Sequence, residues 1–153
     1  MTVHPTQGDA NAVAGGRLWA GGAATAVVAA LIAVVGILIA RGVFGVPVLA
    51  PEGEGTWGDA DTAKYAMYCA IAALVATGLL HLLLISTPRP QKFFNWIIML
   101  ATVAAALAPF ATESTTSSKV ATGLINLAVG IAIGTLLGGA ARSATRERRT
   151  GPQ

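Results

Sequence analysis

Charge is what this sequence has least of. Of 153 residues only 11% are Asp, Glu, Lys or Arg, against about 25% in an ordinary soluble domain. Such a chain cannot cover a globular surface with polar groups, so the soluble class is set aside. Cysteine is equally scarce: Cys69 stands alone, which excludes an internal disulfide, a CxxC redox pair and a cysteine zinc site. The two histidines are 77 residues apart, so no HxxxH-type metal pair exists. What fills the chain instead is apolar. Residues of that class make up 54% of it, and the mean hydropathy is +0.67.

The apolar residues fall into four uncharged runs, Leu18–Ala40, Tyr65–Ile85, Phe93–Ala111 and Val120–Ala141. Each has about the 20 residues that a helix needs to cross a bilayer core. None alternates in the manner of a membrane barrel strand, and only helices satisfy their own backbone groups in lipid. The expected fold is therefore all-α: an integral membrane four-helix bundle with an outer loop of about 24 residues between helices 1 and 2. The first run is longer than the 7–15 residue core of a signal peptide, and Pro51 follows its one small-residue cleavage candidate, so it reads as a retained span. Residues 1–17 are expected to be an unordered arm, 18–141 the transmembrane domain and 142–153 an unordered basic tail, since ordering polar, small-residue segments costs entropy with little burial in return.

Orientation follows from the basic residues. Arg17, Arg89, Lys92, Arg142, Arg146, Arg148 and Arg149 lie on one side of such a threading, and Arg41, Lys64 and Lys119 on the other. Basic residues favour the cytoplasmic side, which predicts both termini inside. Aromatics cluster at the run ends: Trp19, Phe93, Phe94 and Trp96 at the inner interface, Phe44, Trp57, Tyr65, Tyr68 and Phe110 at the outer. That is the interfacial belt pattern. Seven arginines against three lysines and abundant alanine suggest a GC-rich genome.

The densest local pattern is in the fourth run. Gly123, Asn126, Gly130, Gly134 and Gly138 fall near one helical face, and Gly130–Gly138 is a doubled GxxxG. Glycine at this spacing lets a neighbouring backbone approach closely. The face either packs within the bundle, against the small-residue stripe Gly22, Thr25, Ala29, Ala33 and Gly36 of the first run, or joins a second copy or another membrane protein. Asn126 is expected to bond to a neighbouring helix. His81 is the one acid–base side chain within a run and so the low-level functional candidate. Its position four residues from Ile85 also suits a structural histidine near interfacial water, with Thr77 or Asn95 as neighbours. Pro109 marks a kink or helix end near the close of the third run.

The basic tail Arg142, Arg146, Arg148 and Arg149 suits an anionic leaflet. It is too short, and too poor in aromatics, for nucleic acid. Glu52, Glu54, Asp59 and Asp61 match no EF-hand spacing and read as a solvated acidic connection. The preceding Val43–Leu49 segment is broken by glycine and proline, and is expected to lie along the outer interface as a cap over the helix ends, with Trp57 anchoring the return.

Several segments together, RGVFGVPVLAP, HLLLISTPRP, FFNWI and SSKVATGLINLAVGIAIGTLL, resemble a family of small actinobacterial four-span membrane proteins classified as a domain of unknown function. The resemblance runs from about Arg17 to Arg142. It implies one recurring unit in a bacterial plasma membrane, and no activity or site residues. The residues themselves favour a non-enzymatic accessory, partner-binding or envelope-organising membrane protein without a cofactor. The alternative is a small oligomeric pore or transporter lined by Asn126, Thr102 and His81. Coupled transport ordinarily needs an intramembrane carboxylate, and catalysis a nucleophile beside a base or a set of metal ligands. No run contains either arrangement.

Overall fold

Uninterrupted Ala, Val, Leu and Ile make four helices whose ends are set by local chemistry. In the computed structural model the described residues are 7–52 and 56–146, with side chains described for 15–50 and 60–143. Helix α1 is Gln7–Gly42, α2 Thr62–Ser86, α3 Pro90–Leu107 and α4 Thr116–Arg146; the strands β1 (Leu49–Glu52) and β2 (Thr56–Asp59) join α1 to α2. All four helices are long and apolar enough to cross a membrane, over Gly15–Gly42, Thr62–Ser86, Pro90–Ala111 and Thr116–Ser143.

Helix ends are well specified. Asp61 Oδ1 accepts from the backbone N–H groups of Ala63 and Lys64, at 2.9 and 3.2 Å, and so caps α2. Thr87 ends α2 by donating both its N–H and its hydroxyl to the Leu83 carbonyl. At Pro109 the α3 helix gives way to a single 3₁₀ turn, Ala108–Ala111, as expected for a residue that lacks a backbone donor. Gly45 takes a left-handed φ of 62° just after α1, which lets the N–H groups of Gly45 and Val46 turn back to the Arg41 and Ala40 carbonyls.

Two expectations about the termini are corrected. α1 begins at Gln7, inside the arm expected to be unordered, and α4 continues through Arg142 to Arg146, into the expected tail. Once a helix is nucleated, adding a residue costs little. Ala10, Ala12 and Ala14, like Ala144 beyond the last span, are good propagators. Residues 1–6 and 147–153, with Arg148 and Arg149, lie outside the described residues.

Around the bundle the helices follow chain order. α1 packs on α2 and α4, and α3 packs on α4 and less extensively on α2. Lipid tails are as apolar as leucine, so association relies on close van der Waals contact rather than on escape from water. The small stripe of α1 provides it. Thr25, Ala29 and Ala33 are buried. A β-carbon at Gly22 would stand 2.9 Å from Thr77 Cβ on α2, and one at Gly36 2.8 Å from Ile125 Cγ1 on α4. Leu18, Ile37, Leu80, Phe94 and Leu137 complete the core.

The β1–β2 connection closes the end of the bundle away from the termini. This hairpin, paired Leu49 to Asp59 and Ala50 to Gly58, has no alternating pattern to announce it, and Pro51 lies within it. It covers its own helix ends: Val48, Leu49, Ala50 and Ala60 are buried. Leu49 N–H donates to Thr122 Oγ1 of α4 at 2.9 Å. Arg41 donates to the Ala60 carbonyl and, at 3.3 Å, to Thr62 Oγ1. The cap is thus made by Val48–Ala50. Val43 and Phe44, expected to form part of it, remain 73% and 70% exposed, in the turn between the end of α1 at Gly42 and the left-handed Gly45. The side chains of Trp57, Glu52, Glu54 and Asp59 lie outside the described residues.

Candidate functional site

Polar groups are rare in this bundle, and Tyr65, Cys69, Thr102 and Asn126 gather on one seam. Asn126 sits on α4 where α2, α3 and α4 meet. Its amide nitrogen donates to the Ala105 carbonyl of α3 at 2.7 Å. Its Oδ1 accepts from the Tyr65 hydroxyl of α2 at 2.5 Å. One side chain therefore ties three helices, and it also occupies the Ala105 carbonyl, which lies near the end of α3 where helical partners run out.

Two glycines bracket Asn126 and seat α3. A β-carbon at Gly123 would stand 2.8 Å from the Ala106 carbonyl oxygen, and one at Gly130 2.8 Å from Thr102 Cβ. At Gly134 the contact loosens to 3.1 Å from Ile98, and at Gly138 nothing lies within 4 Å. The partner of this face is α3, whereas the sequence pointed to the stripe of α1. The α1 stripe meets α2 and α4 through Thr77 and Ile125 instead. The physical reason is that small-residue stripes match one another in composition without specifying which neighbour each one meets.

Beside this seam, α2 and α3 stand apart. They are joined by a short turn at the terminal end. Toward the hairpin a cleft of about 640 Å³ opens between them, floored by Asn126, Val129, Gly130 and Ile133 of α4. Beside Tyr65, Tyr68 and Ile98, its walls carry small residues: Ala72 and Ala76 on α2, Ala101 and Ala105 on α3, and Ala108 in the 3₁₀ turn that follows. Tyr65, Tyr68, Cys69, Thr102 and Asn126 are its polar lining residues. The Cys69 thiol is free. Thr25, Thr77, Thr122 and Thr135 each donate to the carbonyl four residues back. Thr102 makes no such bond; its side chain packs into the space left by Gly130.

The match to a known family spans this whole architecture: a sequence family of unknown function aligns with residues 13–143. The chain belongs to that family, DUF6069. The DUF6069 segment includes all four membrane-length helices, the hairpin and the cleft. No curated protein and no solved structure matches the chain.

The remaining sequence candidates of this DUF6069 chain lie elsewhere. His81 is half-buried between α1 and α2, its ring 6.5 Å from that of Trp19 and tilted by 53°. Trp19 is its aromatic neighbour, in place of the expected Thr77 or Asn95. Thr77 is instead engaged with the Ala73 carbonyl and with Gly22. His81, Asn126 and Thr102 therefore do not share a lining: the first faces α1, the other two the α2–α3–α4 seam. Asp61, one of the four loop carboxylates, is occupied as a helix cap. Among the described residues no three His, Cys, Asp or Glu side chains gather closely enough to hold a metal. Tyr65 and Thr122 escaped sequence reading, Tyr65 because it resembled another interfacial aromatic and Thr122 because its partner is a backbone N–H of the hairpin.

Proposed function

We propose that this multi-pass membrane protein is a non-enzymatic accessory subunit that receives a transmembrane helix of a partner protein in the α2–α3 cleft. The observation that carries the reading is the alanine lining of both walls, at positions 72 and 76 and at 101, 105 and 108. Residues three or four apart share a helix face, and small residues there let another backbone approach closely. α3 suits this role because Phe94 is the only residue of the helix proper buried among those described. Its cleft-lining Ala101 and Ala105 both lie open.

The same reading has both termini cytoplasmic, from the bias of basic residues. It takes the membrane to be a bacterial plasma membrane, which the arginine-rich, alanine-rich composition and the resemblance to actinobacterial proteins support. A pore lined by Asn126, Thr102 and His81 has less in its favour, since the three residues face different seams.

Photo-cross-linking tests the proposal in cells. A photoreactive residue at Ala72 should give a discrete protein adduct that Ala105→Trp abolishes, while one at Leu38, on the outward face of α1, should give none. An adduct of twice the monomer mass identifies the partner as a second copy. Lipid adducts alone at Ala72 overturn the reading.

A further inference from the structure

Two cavities on the far side of α3 meet at one arginine. The first, of about 700 Å³, lies at the terminal end, between the α2–α3 turn and the last turns of α4. It is lined by Arg89, Lys92 and Arg142, with Gln91 and Ser143. The second, of about 410 Å³, is a groove between α3 and α4 that starts at the same Arg142 and runs past Asn95 and Gly138 to Thr102 and Gly130. One is cationic and the other apolar.

We propose that together they bind one anionic phospholipid, with its phosphate among Arg89, Lys92 and Arg142 and an acyl chain in the α3–α4 groove. Three observations support it. The cations come from three separate places, the turn, the first turn of α3 and the last turns of α4, so the fold brings their charges to one cavity. At interfacial depth such a site favours a phosphate diester. The groove has the length of a chain in one leaflet: from Arg142 to Gly130 is twelve residues, or about 18 Å at 1.5 Å per residue. Half of a bilayer core is about 15 Å. Finally, the groove is open where the glycine repeat is not covered by α3, since a β-carbon at Gly138 would meet nothing within 4 Å. The inner half of the doubled GxxxG motif thus makes room for a chain, and the outer half seats a helix. Assignment of the site to the cytoplasmic leaflet rests on the topology proposed above; the site itself does not.

Native mass spectrometry of the full chain in detergent, titrated with phosphatidylglycerol or phosphatidylcholine, reads this directly. Phosphatidylglycerol should be retained in preference to phosphatidylcholine. Arg89→Gln with Lys92→Gln should lower its apparent affinity about 30-fold. Gly138→Leu, whose β-carbon meets no neighbour within 4 Å and whose side chain occupies the groove, should lower it as well, and millimolar inorganic phosphate should not displace the lipid. Equal retention of the two lipids overturns the proposal. So does loss on changing Arg146, Arg148 and Arg149 to Gln with the Arg89/Lys92 variant unaffected, which would assign binding to the tail. Displacement by inorganic phosphate would make it a free-phosphate site, and an unaffected Gly138→Leu would remove the chain from the groove. If the double variant fails to fold, Gly138→Leu and the phosphate competition still decide.

Discussion

The Tyr65 hydroxyl of α2 donates to Asn126 Oδ1 of α4 at 2.5 Å, 61 residues along the chain. Because the Asn126 amide passes the connection to α3 through the Ala105 carbonyl, the pair forms a side-chain link among three helices that are otherwise packed largely by shape. Tyr65→Phe keeps the ring and removes the link. It should destabilise the folded state by about 0.6–1.7 kcal/mol, the range for interhelical bonds in membranes. Asn126→Leu, which also strands the Ala105 carbonyl, should cost more. Reversible unfolding in mixed micelles gives both values, and equal stability of Tyr65→Phe and wild type would show the link to be energetically silent.

Gly123 and Gly138 lie on one helix face yet should respond oppositely to alanine. At Gly123 the new methyl meets the Ala106 carbonyl oxygen at 2.8 Å. A backbone atom cannot rotate aside, so α3 must shift, at about 1–3 kcal/mol. At Gly138 the methyl meets nothing within 4 Å, and Gly138→Ala should be neutral or stabilising by up to about 1 kcal/mol through helix propensity. Melting temperatures of the two variants, measured side by side, check the contrast.

Thr122→Val preserves shape but leaves the Leu49 N–H without its acceptor. The Thr122 hydroxyl takes that bond at 2.9 Å while donating to the Ser118 carbonyl at 2.8 Å. Losing a buried partner costs about 1–3 kcal/mol. Most of the effect should be local, loosening the hairpin from α4. Hydrogen exchange at Leu49 and Ala50 should accelerate by at least about tenfold while exchange in mid-α2 stays unchanged.

Threading is tested in a Cys69→Ser background. Thr56→Cys, in β2, should react with a membrane-impermeant maleimide in intact cells. Ser143→Cys, in the last turns of α4, should react only after permeabilisation. The reverse pattern would invert the topology proposed from the basic residues.

Hydropathy made the four crossings legible because it reports distance across a bilayer, and Leu18, Tyr65, Phe93 and Val120 each start a run of the required length. It carries no information on azimuth. A leucine facing lipid and a leucine facing another helix have nearly the same environment, so Leu137 is buried and Leu136 is 42% exposed with nothing in the pattern to separate them. For the same reason the glycine face of α4 was recognisable while its partner, α3, was not. Asn126 was legible as a cross-helix donor, since a side-chain amide in lipid must find partners. Tyr65 was not, because a tyrosine at a run end is equally at home among headgroups. The hairpin was hidden by Pro51 and by the glycines around it. Its burial comes from Val48–Ala50 landing on α4, a contact 73 residues apart in the chain.

α1 and α4 touch near their terminal ends, where a β-carbon at Gly21 would stand 3.0 Å from that of Ala140. First and last helix are therefore next-door neighbours entering the same aqueous side, and the ring of helices has a seam there, with no covalent joint. A short linker across that seam, with new termini cut in the α2–α3 turn at Pro88, would give a rearranged chain with the same walls and the same cleft. Split-reporter halves fused beyond the terminal ends of α1 and α4 would likewise reassemble on a single molecule.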